Sequence, residues 1–349
     1  FFGDNADNIF LINTNGGLLL NQATLSGINS NNAAIENNGL LKLTDTKFEN
    51  NINLTSALGG GALKNNGSAI IELSHFYRNS SNRGGAIFNN GSGILDIINS
   101  TFYQNGIDHS VEGGAIHNRG VINIFNSTFA ESGDGSEIAN TYYSWGSNAE
   151  LNMINTAFSS QHGSDVCRIS GGTVNSDHSF VSDGGCDSEF SGDAEFGSWG
   201  NYGAFANSIP LTESSILVNN GNPFICEPED QIGVDRPQGL SCDIGAMEFI
   251  DNNPPQISNV SINQQTVASC SAIDTPFTTI LITFSERVLN ADDINNYEVI
   301  NSADFDIKLK GDAGINAYDV ISAISDKHPT TPTITITLAG ESIDGLHHL

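Results

Sequence analysis

Asn65-Asn66-Gly67 followed by Phe76, Asn89-Asn90-Gly91 followed by Phe102, and Asn118-Arg119-Gly120 followed by Phe129 are one phrase written three times, and Asn37-Asn38-Gly39 with Phe48 precedes them. A second phrase alternates with it: Gly60-Gly61-Ala62-Leu63, Gly84-Gly85-Ala86-Ile87 and Gly113-Gly114-Ala115-Ile116. The aromatic positions Phe48, Phe76, Phe102, Phe129 and Phe158 lie 28, 26, 27 and 29 residues apart, a period that marks stacked supersecondary units. Between the turns the residues alternate, as in Ile94-Leu95-Asp96-Ile97-Ile98 and Val121-Ile122-Asn123-Ile124-Phe125, and β-branched residues dominate. That pattern reads as short strands, two or three per unit.

One coil of this kind cannot bury its own apolar face, so each strand pairs in parallel with its counterpart one repeat later, about 4.8 Å away. Like then stacks on like. The phenylalanines are expected to form an internal aromatic stack, and Asn37, Asn65, Asn89 and Asn118 an amide ladder. Asn before Gly also suits the left-handed conformation of a tight turn. The fold class predicted is all-β: a right-handed, single-stranded parallel β-helix.

The phrases Gly-Gly-Ala-Ile and Phe-x-x-Asn (Phe48 to Asn51, Phe76 to Asn79, Phe102 to Asn105) resemble the repeats of polymorphic outer-membrane proteins and related bacterial surface β-helices, with a departure at Ser132. Further on, Gly233-Val234-Asp235-Arg236-Pro237-Gln238 and Cys242-Asp243-Ile244-Gly245-Ala246-Met247-Glu248 resemble the closing signature of choice-of-anchor Q proteins. That resemblance implies a secreted or surface-held β-helix of the pectin-lyase-like kind and carries no reaction with it. Arg236 is expected to pair with one of the neighbouring carboxylates while this segment covers the last coil.

Beyond Phe158 the phrases fade, and residues 1–250 are read as the β-helix with its closing segment. Residues 251–255 are a linker stiffened by Pro254 and Pro255. Residues 256–349 carry short alternating runs such as Thr278-Thr279-Ile280-Leu281-Ile282-Thr283-Phe284 and Thr333-Ile334-Thr335-Ile336-Thr337-Leu338, expected to build a β-sandwich. Thr283-Phe284-Ser285-Glu286 with Asn295-Asn296-Tyr297 resembles bacterial Ig-like domains. The chain opens on Phe1 and stops at Leu349 inside a β-rich stretch, which points to a longer parent.

Composition narrows the partners. Forty Asp and Glu against twelve Lys and Arg give a formal charge of -28. Such a surface disfavours nucleic acid and anionic membranes, both of which are gripped by basic clusters. No run has the length of a transmembrane segment. The cysteines, Cys167, Cys186, Cys226, Cys242 and Cys270, are spaced 19, 40, 16 and 28 residues apart and match no zinc pattern. Sequential pairing of Cys167 with Cys186 and of Cys226 with Cys242 is expected, each closure stabilising by about 3 kcal/mol, with Cys270 left over. Asp251-Asn252-Asn253 has a composition fit for calcium at a junction between domains, with a plain acidic linker as the alternative. No other cofactor is implied.

Catalytic chemistry leaves a fainter trace. A hydrolase needs two carboxylates across the scissile bond, and a lyase needs a base beside a group that neutralises the substrate carboxylate. Glu72, Asp96 and Arg119 fall on successive coils and are the set to watch. The remaining basic residues, among them Lys42, Lys47, Lys64, Arg78 and Arg83, share no phase. His75, His109, His117, His162 and His178 share no spacing and read as loop or surface residues. The expected protein is thus a non-catalytic bacterial adhesive or structural protein, secreted or at the cell surface, meeting an extracellular glycan or protein surface along its flank. Two alternatives stand beside it: a polysaccharide lyase or glycoside hydrolase acting on acidic glycans, and the subunit of a filament joined end to end.

Overall fold

The computed structural model describes residues 8–54, 59–107, 112–133, 136–141, 149–160, 165–239 and 241–250, and beyond these the strands of a C-terminal part. Residues 1–250 and 251–349 form two compact units.

The first unit is a parallel β-helix of three seven-stranded sheets. Sheet I holds three- and four-residue strands: Phe10–Ile12, Ile35–Asn37, Leu63–Asn65, Ile87–Asn89, Ile116–Asn118, Ile138–Thr141 and Cys167–Ser170. After the Asn-Gly turn the chain enters sheet II, with five residues per strand from Gly17–Asn21 to Thr173–Asp177. A bend then leads into sheet III, from Thr24–Ser26 through His75–Tyr77 and Thr101–Tyr103 to Phe180–Val181. Strand lengths of three and five set each coil's cross-section, and residues in register face the same way in every coil.

The register lays the phenylalanines over one another, with Phe48 opposite Phe76, Phe76 opposite Phe102, Phe102 opposite Phe129 and Phe129 opposite Phe158. Their ring centroids are 4.8, 4.5, 4.5 and 4.7 Å apart, and the first two pairs lie within 2° of parallel. All five rings are fully buried, together with Leu41, Leu43, Ile71, Leu95, Ile97, Ile122, Ile124 and Leu151 from sheet II. Above Phe158 the column passes to Val181, because Phe180 is in register with Ala157 and its ring belongs to a different cluster. The position that continues the stack is thus Val181, 23 residues after Phe158, so this coil is shorter than those between the stacked phenylalanines.

Polar columns run beside the apolar ones. Asn37 Nδ2 donates to Asn65 Oδ1 (2.8 Å), Asn65 to Asn89 (2.9 Å) and Asn89 to Asn118 (2.8 Å), and Asn118 adds a fifth rung at Asn140 (2.8 Å). Each of these amides also donates to a carbonyl at the start of the next coil's sheet II strand, as Asn65 does to Ile94. A second ladder joins Asn51, Asn79 and Asn105 at 2.8 and 3.1 Å. A third column is made of hydroxyls. Between sheets II and III one residue per coil is left-handed, among them Asp45, Leu73, Asn99, Asn126, Asn155 and His178, with φ between 43 and 51°. The next residue is Thr46, Ser74, Ser100, Ser127, Thr156 or Ser179, and its hydroxyl accepts from the backbone N–H of the coil below at Thr46, Ser74, Ser100 and Thr156. The Gly-Gly-Ala phrase marks where coils approach most closely: a Cβ on Gly85 would collide with Gly114 O of the next coil, and Gly113 has φ 68°.

The closing segment around Arg236 departs from the expectation that it covers the last coil, and residues 183–239 and 241–250 share its course. They run back along the outer face of sheet III, reaching the coil of Asp45. Ala206 N donates to Asp45 (3.1 Å), Asn207 N to His75 Nδ1 (2.7 Å), Thr101 Oγ1 to Gln231 (2.5 Å), Ala246 N to Thr128 (2.9 Å) and Asn222 N to Asn155 (2.6 Å). The reason is the apolar outer surface there. Ala157 and Phe180 on the sheet bury against Ala194, Leu211, Leu217 and Ile244. Disulfides join Cys167 to Cys186 and Cys226 to Cys242, with Cα separations of 5.8 and 6.1 Å.

In the second unit the strands are antiparallel and fall into a five-stranded and a four-stranded sheet. Thr279–Phe284 pairs with Ile257–Ile262 on one side and Thr333–Leu338 on the other. The calcium expected at Asp251, Asn252 and Asn253, and Cys270, lie outside the described residues.

The stacked rings supply a direct test of the fold. Phe102→Ala removes a ring packed on both faces and leaves a cavity that neighbouring coils cannot close, so stability should drop by about 3–5 kcal/mol in urea unfolding. A loss below about 1 kcal/mol would contradict the internal stack.

Candidate functional site

The outer face of sheet III is where the β-helix stops being repetitive. Its first outward column is Lys47, His75, Thr101, Thr128, Ala157 and Phe180, and the covering segment lies on it. Lys47 Nζ rests over the Phe205 ring at 4.6 Å. The next outward column contains Tyr77 and Tyr103, stacked at 5.9 Å. Trp199, carried by the covering segment, lies over both tyrosines at 5.3 and 5.0 Å and meets His75 edge-on at 5.2 Å.

Against this aromatic wall opens a groove of about 830 Å³, within the range of about 300–1,000 Å³ usual for small-ligand sites. Tyr103 and Trp199 line one side. Ser159, Ser160 and Ser182 and the acidic residues Glu131, Asp193 and Glu195 line it too, together with Phe196, Ile209 and small residues, and no Lys or Arg is among the lining residues. Burial, followed by the charge of Glu131, raises the Tyr103 phenol above its ordinary range. The phenol oxygen accepts from Gln104 Nε2 at 3.3 Å.

His75 ties this wall to the covering segment and corrects the reading of it as a surface residue: its side chain is completely buried. Nδ1 accepts from Asn207 N, which fixes the proton on Nε2, where it is donated to Glu49 at 2.9 Å. Burial holds the imidazole below its usual pKa, and the hydrogen bond from His75 holds Glu49 low as well.

His117 is likewise buried. It sits on the outer face of sheet I, 2.9 Å from Thr141 Oγ1 and 3.2 Å from Arg119 Nε. Burial, with Arg119 and Arg83 nearby, pushes it down to about 3. Arg119 itself lies over the Phe88 ring at 5.3 Å. Glu72 and Asp96, by contrast, are on the outer face of sheet II. Glu72 is paired with Lys42 at 2.9 Å, and Asp96 accepts from Asn123 at 2.7 Å at the end of an external ladder that continues through Asn152 and Asn175. The register sets Glu72 opposite Ile98 and Asp96 opposite Ile70, so the two carboxylates are diagonal neighbours, engaged with different partners. Arg119 belongs to a different face.

The closing sequence is an ionic latch. Arg236 Nη1 donates to Glu248 at 2.8 Å and to Asp243 O at 3.0 Å, and Nη2 donates to Gly245 O at 2.8 Å. Asp243 accepts from Asn219 N and Phe249 N, and Asp230 accepts from Ile232 N, Val234 N and Glu248 N. Burial, then the charge of Glu248, pushes Asp243 up to about 7, and burial also raises Glu248. Every one of these carboxylates is spent on backbone N–H groups, so the segment holds a shape and offers little to a substrate. Among the described residues no group of three or more His, Cys, Asp and Glu is placed to hold a metal ion.

Compared with known proteins, the chain matches no family model, no curated sequence and no solved structure.

The wall made by Trp199, Tyr77 and Tyr103 escaped the sequence reading because its parts are about a hundred residues apart. Only the Tyr at the third position of two sheet III strands, Phe76-Tyr77 and Phe102-Tyr103, hinted at it.

Two expectations follow. Arg236→Ala should cost about 3–5 kcal/mol, since Glu248 and Asp243 would be left buried without their cation. Limited proteolysis should then cut first within 183–250, and unchanged stability would refute the latch. Glu137, fully buried with Oε1 accepting from Ser132 N at 2.8 Å, is pushed up to about 8 by that burial. The native state therefore keeps a proton that the unfolded chain loses above about 4.5, so Glu137 weakens the fold as pH rises from 4.5 to 8. Urea unfolding of the wild type against Glu137→Gln should show a gap widening by up to about 1.4 kcal/mol per pH unit across that window. A gap independent of pH would count against the buried acid.

Proposed function

We propose that this chain belongs to a bacterial secreted or cell-surface protein whose β-helix binds along its flank without turning over what it binds, and that its second unit is an Ig-like sandwich. The observation that carries this reading is the fate of the recurring residues. Asn37 to Asn140, Asn51 to Asn105 and Thr46 to Ser179 satisfy one another and the backbone inside the stack. Glu72, Asp96 and Arg119, the set in which catalysis was sought, are tied to separate partners.

Other features fit an extracellular setting. Two disulfides suit an oxidising compartment. The closing phrase around Arg236 and the Gly-Gly-Ala repeats resemble choice-of-anchor Q and polymorphic outer-membrane proteins, which supports a surface role and the right-handed coil. Two sheets of antiparallel strands in the second unit fit the Ig-like reading. A second reading, a glycoside hydrolase, draws on the groove beside Tyr103, where more than one carboxylate lines a single space.

The test is incubation with pectin, alginate and neutral polysaccharides, followed by assay for new reducing ends and unsaturated uronates. Retention without cleavage is expected. Product that vanishes in Glu72→Gln or Asp96→Asn would replace this reading with the lyase or hydrolase acting on acidic glycans.

A further inference from the structure

We propose that the groove between sheet III and the covering segment binds a neutral oligosaccharide; the inference rests on the flank-binding reading above and adds the class of ligand. Three kinds of group converge there. Trp199 and Tyr103 offer aromatic surface, and the C–H face of a pyranose ring is the apolar partner that packs on such surface while keeping its hydroxyls free. Asp193 and Glu195, both exposed on the covering segment, and Glu131 on the opposite bank offer charged acceptors, which bond hydroxyl donors more strongly than neutral acceptors do. Ser159 adds a hydroxyl that can donate or accept, and Ser182, whose Oγ accepts from Ser160 N, adds one that can donate.

The sign of the charge selects among glycans. Three carboxylates and no Lys or Arg line the groove, and the chain carries a formal charge of -28. A uronate polymer such as pectin or alginate would bring its carboxylates against these without a cation to pair them, a juxtaposition that disfavours binding. Uncharged hexoses and N-acetylhexosamines meet no such penalty. The wall is also prearranged: His75 is held between Glu49 and Asn207, and it fixes the backbone that carries Trp199 against the tyrosines. Little ordering remains to be done on binding.

The experiment is calorimetric titration of the intact chain with hexasaccharides of β-1,4-glucose, α-1,4-glucose, β-1,4-xylose and β-1,4-N-acetylglucosamine, and with hexagalacturonate. Wild type is compared with Asp193→Asn, Glu195→Gln and Trp199→Phe, the last of which keeps an aromatic ring in the wall. At least one neutral hexasaccharide should bind and quench tryptophan fluorescence. Each carboxylate variant should weaken that binding about tenfold or more, the loss of one charge-assisted hydrogen bond, while the circular dichroism is unchanged. Hexagalacturonate should bind more weakly than the neutral ligand. Failure of all four neutral sugars at millimolar concentration, preference for hexagalacturonate, or binding that ignores all three variants would overturn the proposal. In the last case flank binding itself would stand, at another place. Shortening of a bound hexasaccharide that the same variants abolish would instead keep the groove and its ligand class while removing the non-catalytic reading.

Discussion

The asparagine carboxamide at the sheet I turn is the interaction on which the other columns depend. A buried amide has two donors and an acceptor to satisfy, and an apolar core offers none of the partners. Asn37, Asn65, Asn89, Asn118 and Asn140 solve this by repetition, since each finds in the next coil an identical group at the spacing of parallel strands, plus one carbonyl. A slip of one coil by a single residue would break its rungs to both neighbours and turn its phenylalanine outward. The ladder thus enforces the register, and the Phe stack packs beside the aliphatic columns of the core. Ile12 and Ile169 occupy the same column at the two ends, where the next rung is missing.

The covering segment obeys a different logic. It contains no repeat, and its backbone lacks ladder partners through most of its length, so it is held by side chains. Carboxylates of Asp230, Asp243 and Glu248 collect backbone N–H groups, and Arg236 balances their charge. The amide of Gln231 reaches Ser74 O and Asn207 O and so ties the segment to both the coil stack and itself. Cys242, fully buried, is linked to Cys226 at the same place where Asn155 bonds Asn222.

What was legible in the sequence is what recurs. Phe48 through Phe158 and Asn37 through Asn118 announce themselves by period, and the sequential cysteine pairs by proximity. The fifth rung, Asn140, was hidden because Tyr142, and not Gly, stands two places after it. The hydroxyl column was there to be read as Ser or Thr two places before each Phe of the stack, from Thr46 to Thr156, but its variability masked it. His75 and His117 looked like loop residues because no spacing related them. Burial of each comes from chain far away in sequence or from a neighbouring coil, as with Asn207 beside His75. The course of residues 183–250 was illegible for the same reason: pairs such as Thr101 with Gln231 are 130 residues apart and leave no periodic trace.

A solenoid has translational symmetry, and a ligand that recognises one coil of its surface will recognise the next. The segment laid along sheet III abolishes that symmetry on one flank. Trp199 occurs once, whereas the tyrosines beneath it belong to neighbouring coils. Whatever engages the groove therefore does so with a stoichiometry of one, and adding coils during evolution would lengthen the molecule without multiplying its occupancy.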